Sequence, residues 1–134
     1  MDQLLRRLDP VLTLIGRLLM ATLFVMAGLD AAMDFSAFSA RLTADGLPVH
    51  LTGVVFWFLI LSGLALAVGL QTRLVALVMA GFSLLSGLIA YADLSQPTDM
   101  VMLLKNIALT GGYLFVALHG PGRYSLDALR GGRG

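Results

Sequence analysis

The chain has 134 residues, the size of a single domain. Charged residues make up 13% and hydrophobic residues 58%, and the mean hydropathy is +0.89. Ordinary soluble domains carry about 25% charged residues, so this composition excludes a cytosolic globule, a disordered tail and a coiled coil. Nine Lys and Arg against eight acids give a net charge of +1, which leaves no electrostatic case for nucleic acid. All the acids are Asp, and the absence of Cys excludes disulfides, thiolate metal sites and thiol redox chemistry within the chain.

Four apolar stretches follow in order, each near the roughly 20 residues that a helix needs to cross about 30 Å of hydrocarbon. The first runs from about Val11 to Ala32 behind Pro10, which suits a first-turn position. Arg17 interrupts it, and its length exceeds a cleaved leader's apolar core, so it reads as a membrane anchor. Residues 33–48 form the longest connection. Phe35, Phe38 and Leu42 share one face there, Asp34 or Ser36 offers a cap, and Gly46 precedes Pro48. The pattern predicts a short amphipathic helix in the membrane interface, an anchor in the plainer reading and a lid over a lipid-accessible pocket in the sharper one.

The second span covers about Val49–Leu70, the third Leu74–Tyr91 and the fourth Met100–Leu118. Small residues recur four apart, as in Gly63/Ala67, Ala76/Ala80 and Ser83/Gly87, which lets helix backbones approach closely. Gly120-Pro121-Gly122 stops the fourth helix, and Arg123–Arg130 follows as a short tail with Leu126 and Leu129 facing lipid. The fold class is therefore all-α: a four-helix transmembrane bundle with one interfacial helix between helices one and two.

Arginines set the expected orientation. Arg6, Arg7, Arg73, Arg123, Arg130 and Arg133 fall on one side of four alternating spans. The other side holds Arg41 with Asp34, Asp45, Asp93 and Asp99, so both termini are expected in the cytoplasm.

Candidate chemistry rests on few residues. Arg17, Asp30 and Lys105 are charges within or near the spans, each needing a partner or a route to water. Arg17 is expected to snorkel to the interface, to pair with Asp9 or Asp127, or to hold a lipid phosphate. Arg73 and Arg123 are candidate lipid or ion-pair anchors beside it. Asp30 and Lys105 lie at matching depth and invite an ion pair, with Asp34, Asp93 and Asp99 competing for the lysine. Asn106, Thr110 and Tyr113 form a polar stripe that interhelical hydrogen bonding explains adequately. The functional alternative is a ligand pocket walled by Asp30, His50, Trp57, Tyr91, Lys105 and Asn106, apolar with a few donors, as a quinone ring requires. His50 and His119 lie at opposite depths, so they make no bis-imidazole haem site. No metal cluster, catalytic triad or phosphate loop is legible.

The ordered series resembles the DoxX family of small bacterial four-helix membrane proteins. Its pieces are Arg17 and Phe24 through Gly28, Asp34-Phe35, Gly46-Leu47-Pro48, Gly69-Leu70-Gln71-Thr72-Arg73, Lys105-Asn106-Ile107-Ala108 and Gly120-Pro121-Gly122-Arg123-Tyr124-Ser125-Leu126-Asp127. The resemblance implies an inner-membrane protein, linked in some members to quinone-reducing or redox-stress complexes. It makes quinone the candidate cofactor, and membrane lipids, other membrane subunits or a second copy the candidate partners. Two functions follow: a redox-linked, quinone-interacting accessory subunit, or a non-catalytic structural and assembly subunit. Asp30-Ala31, Leu59 and Tyr91-Ala92 stand where the family often carries a basic residue, a Glu and a His.

Overall fold

A computed structural model describes residues 1–91 and 95–130. Asp93, Arg133 and the glycines of the tail lie outside the described residues. The element order is α1 (Asp2–Met33), α2 (Phe35–Ala44), α3 (Leu51–Val68), α4 (Thr72–Ala90), α5 (Pro97–His119) and α6 (Leu126–Leu129). Helices α1, α3, α4 and α5 are each long and apolar enough to cross a membrane. They pack as two close pairs, α1 with α3 and α4 with α5, joined by lighter α3–α4 and α1–α5 seams.

Two boundaries differ from the sequence reading. Pro10 does not open α1 but lies inside it, because the helix starts at Asp2. Residues before Pro10 are exposed, so the carbonyl that proline strips of its amide partner can bond water. At the other end of the chain, α5 begins three residues earlier than its apolar run. Pro97 sits at the first helical position, where its missing N–H is no loss.

Close approach explains the paired helices. A Cβ on Gly63 would stand 3.1 Å from the Val25 backbone nitrogen and 3.3 Å from the Phe24 Cβ, so α3 meets the backbone of α1 there. Gly87 does the same on α4, where a Cβ would come within 2.8 Å of the Asn106 Cβ. Without a hydrophobic drive between helices in lipid, this dispersion contact is what holds them. The inward stripe of α4 is Ala76, Met79, Ala80, Ser83 and Gly87, all buried.

The bundle centre is aromatic. Phe24 meets Phe58, Phe82 and Tyr113 edge-on, with ring centroids 6.1, 5.6 and 5.4 Å apart. Such T-shaped pairs place a positive ring edge on a negative face. Tyr113 is fully buried, and its hydroxyl donates to the Met20 carbonyl at 2.8 Å, tying α5 to α1. The polar stripe of α5 thus divides. Asn106 turns to α4, Tyr113 to α1, and the Thr110 hydroxyl donates back to the Asn106 carbonyl of its own helix.

Candidate functional site

The end of the bundle away from the termini carries a cavity of about 360 Å³ beneath α2. The connection that forms this roof folds as its sequence predicts. Asp34 caps α2, its carboxylate accepting from the Ala37 amide at 3.1 Å, and Gly46 leaves the helix with φ +95°. Phe35 contacts Phe38 and the Phe56 ring of α3, and the Ser39 and Thr52 hydroxyls share a hydrogen bond at 3.2 Å. Phe38, Leu42 and Leu47 therefore cover the cavity, while Val55, Leu59 and Phe82 form its floor and Leu85, Ile89 and Ala90 its α4 wall. Polar groups reach it from Arg41, Asp45, Ser86, Tyr91 and Asn106.

Of the six pocket residues expected from sequence, Tyr91 and Asn106 line this cavity and the other four do not. Lys105 is exposed, being about 100° around the helix from its neighbour Asn106. Trp57 is 58% exposed and turns to the outside of α3 against Phe56. His50 and Asp30 are also exposed, and no ion pair joins Asp30 to Lys105 among the described residues. The Asn106 amide donates to the Ser83 carbonyl at 3.0 Å and lies 3.4 Å from the Ser86 hydroxyl. It thus aligns α5 with α4, while the Ser86 hydroxyl donates to the Ser83 carbonyl of its own helix at 3.3 Å. The apolar face of α2 carried a signal in the sequence, the three-and-four spacing of Phe35, Phe38 and Leu42; Ser86 carried none. Leu59 was marked only by the family resemblance, and Val55 and Phe82 carried nothing that separates them from other core positions.

The opposite end is built around Arg17. It is 3% exposed and does not snorkel. Its guanidinium donates to the carbonyls of Ala67 at 3.1 Å and Tyr124 at 2.8 Å, and also to that of Pro121. These acceptors replace the expected Asp9 or Asp127 partner, because planar guanidinium donors fork toward several carbonyls at once. Asp9 instead joins Thr13, which donates to it at 2.8 Å, and His119, whose Nε2 lies 3.3 Å away. Asp127 turns inward and caps a different helix. Its two carboxylate oxygens accept from the Gln71 amide at 2.8 Å and the Thr72 amide at 2.9 Å, at the start of α4. Burial alone would raise the pKa of this group; the backbone amides of Thr72 and Gln71, together with the nearby Arg130 charge, outweigh it and hold the pKa below the usual carboxylate value. Gln71 is left-handed at φ +49°, and this pair of bonds offsets the strain at that position.

The α3–α4 turn fits the same clamp. Gly69 ends α3 at φ +78°, its carbonyl accepts from the Asp127 amide at 2.9 Å, and a Cβ there would overlap that of Ser125. Arg73 reaches across to α5 and donates to the Ala117 and Leu118 carbonyls at 3.1 and 2.6 Å, a cation at a helix C-terminus. Arg123 is exposed beside the tail.

The DoxX family model matches residues 12–92, more than half of the chain. The chain belongs to the DoxX family. It is 33% identical over 125 residues to the inner membrane protein YqjF of Escherichia coli strain K12, covering 93% of this chain and 96% of that relative. Inner membrane protein YphA of the same organism is 26% identical over 125 residues, covering 88% and 89%. No solved structure gives a significant match. The DoxX match takes in Arg17, α2, α3 and α4, and hence the cavity wall from Phe38 to Tyr91. With four spanning helices and this membership, the protein is an integral membrane protein.

Proposed function

We propose that this DoxX protein is a redox-linked accessory subunit of a bacterial inner-membrane oxidoreductase system, holding a quinone ring in the cavity beneath α2. The observation that carries the reading is the cavity itself. About 360 Å³ is within the range of small-ligand sites, and its wall is apolar with a few convergent polar groups. Tyr91 and Ser86 are of the right type to donate to ring carbonyl oxygens, Arg41 adds a cation at the rim, and Phe82 offers an aromatic face. When bound, a quinone would supply two-electron redox chemistry; the chain's own residues would position the ring and keep water from it. Phe38 and Leu42 on α2 would close the roof. The arginines at the termini-bearing end support a cytoplasmic location for both termini, and on that orientation the cavity would lie in the outer leaflet. The relatives' descriptions as inner membrane proteins support the location.

Purification in mild detergent, solvent extraction and mass spectrometry test the proposal. Quinone recovered near one per chain is the expected result. Recovery of quinone-free protein that also fails to bind added short-chain quinone refutes it. A larger membrane complex that fails to assemble without this chain, together with that failure, would favour the structural subunit instead.

A further inference from the structure

Outside the cavity, the strongest unassigned feature is a groove of about 330 Å³ where the tail crosses the end of α3, lined by Val68, Arg123, Tyr124, Ser125, Leu126 and Leu129. Its floor is apolar. Val68 is 46% exposed on a membrane span, Leu126 40% and Leu129 82%, so the groove opens to the bilayer at the depth where the span ends. Its charge has one sign. Asp127, the acid of this segment, is turned away and buried against the start of α4, with both carboxylate oxygens occupied by backbone amides. The groove therefore presents Leu126 and Leu129 beside Arg123, whereas Arg130 lies outside its lining and near enough to Asp127 to favour that carboxylate's charged form. No described residue forms an ion pair or side-chain hydrogen bond with Arg123.

We infer that this groove is a specific binding site for an anionic phospholipid of the leaflet surrounding the termini. The acyl chain lies along Val68, Leu126 and Leu129, and the phosphate meets the Arg123 guanidinium. Tyr124 stands at headgroup depth, where an amphipathic ring is at home. Charge complementarity selects the occupant: a zwitterionic lipid brings its own cation to Arg123, whereas an anionic headgroup does not. Backbone contacts make the site rigid, since the Tyr124 carbonyl is held by Arg17 and the Ser125 hydroxyl donates to the Gly122 carbonyl at 2.9 Å. This inference does not depend on the quinone reading.

The test titrates purified full-length protein with dioleoyl phosphatidylglycerol or dioleoyl phosphatidylcholine and reads bound lipid by native mass spectrometry. The wild-type protein is expected to prefer phosphatidylglycerol, and Arg123→Gln to lose that preference by about fivefold, as one interfacial cation is worth. Arg123→Lys should retain the preference. The double variant Arg6→Gln/Arg7→Gln removes two charges at the same end without touching the groove and should also retain it. Leu129→Ser should weaken both lipids together. Equal binding of the two lipids by the wild-type protein overturns the site, and so does an equal loss in the Arg6/Arg7 variant, which would reduce it to the general field of that end.

Discussion

Replacing Arg17 by Met keeps the length of the side chain and removes every donor. Three carbonyls from the end of α3 and from the tail then lose their shared partner. A hydrogen bond to a charged group contributes about 1.5–3 kcal/mol, and keeping a guanidinium from water costs several kcal/mol. With three bonds set against one desolvated cation, the net loss should be roughly 2–4 kcal/mol. For a chain of this size that corresponds to a fall in melting temperature of about 10 °C. Arg17→Lys should lose nearly as much, because one compact ammonium cannot fork to acceptors on two segments. Thermal unfolding in detergent gives the stability, and trypsin gives the location. Cleavage after Arg123 requires the tail to lift from its clamp, so both variants should be cut at least tenfold faster than the wild-type protein. Wild-type melting and wild-type cleavage in both variants would refute the clamp.

Asp127 gives a pH-dependent counterpart. Its folded pKa lies below the ordinary value, so the folded state binds fewer protons and stability rises with pH across that window. Its contribution is complete above about pH 4 and is lost as pH falls through the lowered pKa. Asp127→Asn should cost about 1–2 kcal/mol at neutral pH, and the gap to wild type in melting temperature should narrow below about pH 4. Gly69→Ala combines a left-handed backbone with overlap on Ser125, so a loss of roughly 2–3 kcal/mol is expected in the same melting assay. For ligand binding, Asn106→Ala should weaken quinone retention by removing a polar group from the cavity wall, whereas Lys105→Ala should leave it unchanged in an equilibrium titration. Equal effects would show that Lys105 reaches the cavity.

The four spans and α2 were legible because both signals are local. Length and hydropathy define a membrane helix, and Phe35, Phe38 and Leu42 define one face of a short one. The start of α1 was not, since a proline rule assumes a helix interior shielded from water, and Pro10 stands where water is available. The sites divide the same way. Depth along a helix is readable from residue number, which brought Tyr91 and Asn106 to the level of the cavity. Azimuth is not, and exposed Asp30, Trp57 and Lys105 shared that level while facing elsewhere. The fate of Arg17 was hidden for a further reason. Its partners are backbone carbonyls, one near the end of α3 and two on a tail more than a hundred positions away, and carbonyls leave no mark in a sequence.

Filling the cavity tests the central claim most directly. Ala90 lines it from α4, and Ala90→Phe places a ring in the space assigned to the ligand. Quinone affinity should fall at least tenfold in a titration of purified protein, while the melting temperature of the ligand-free form stays near that of the wild-type protein. Undiminished quinone binding by a folded Ala90→Phe protein would contradict the account.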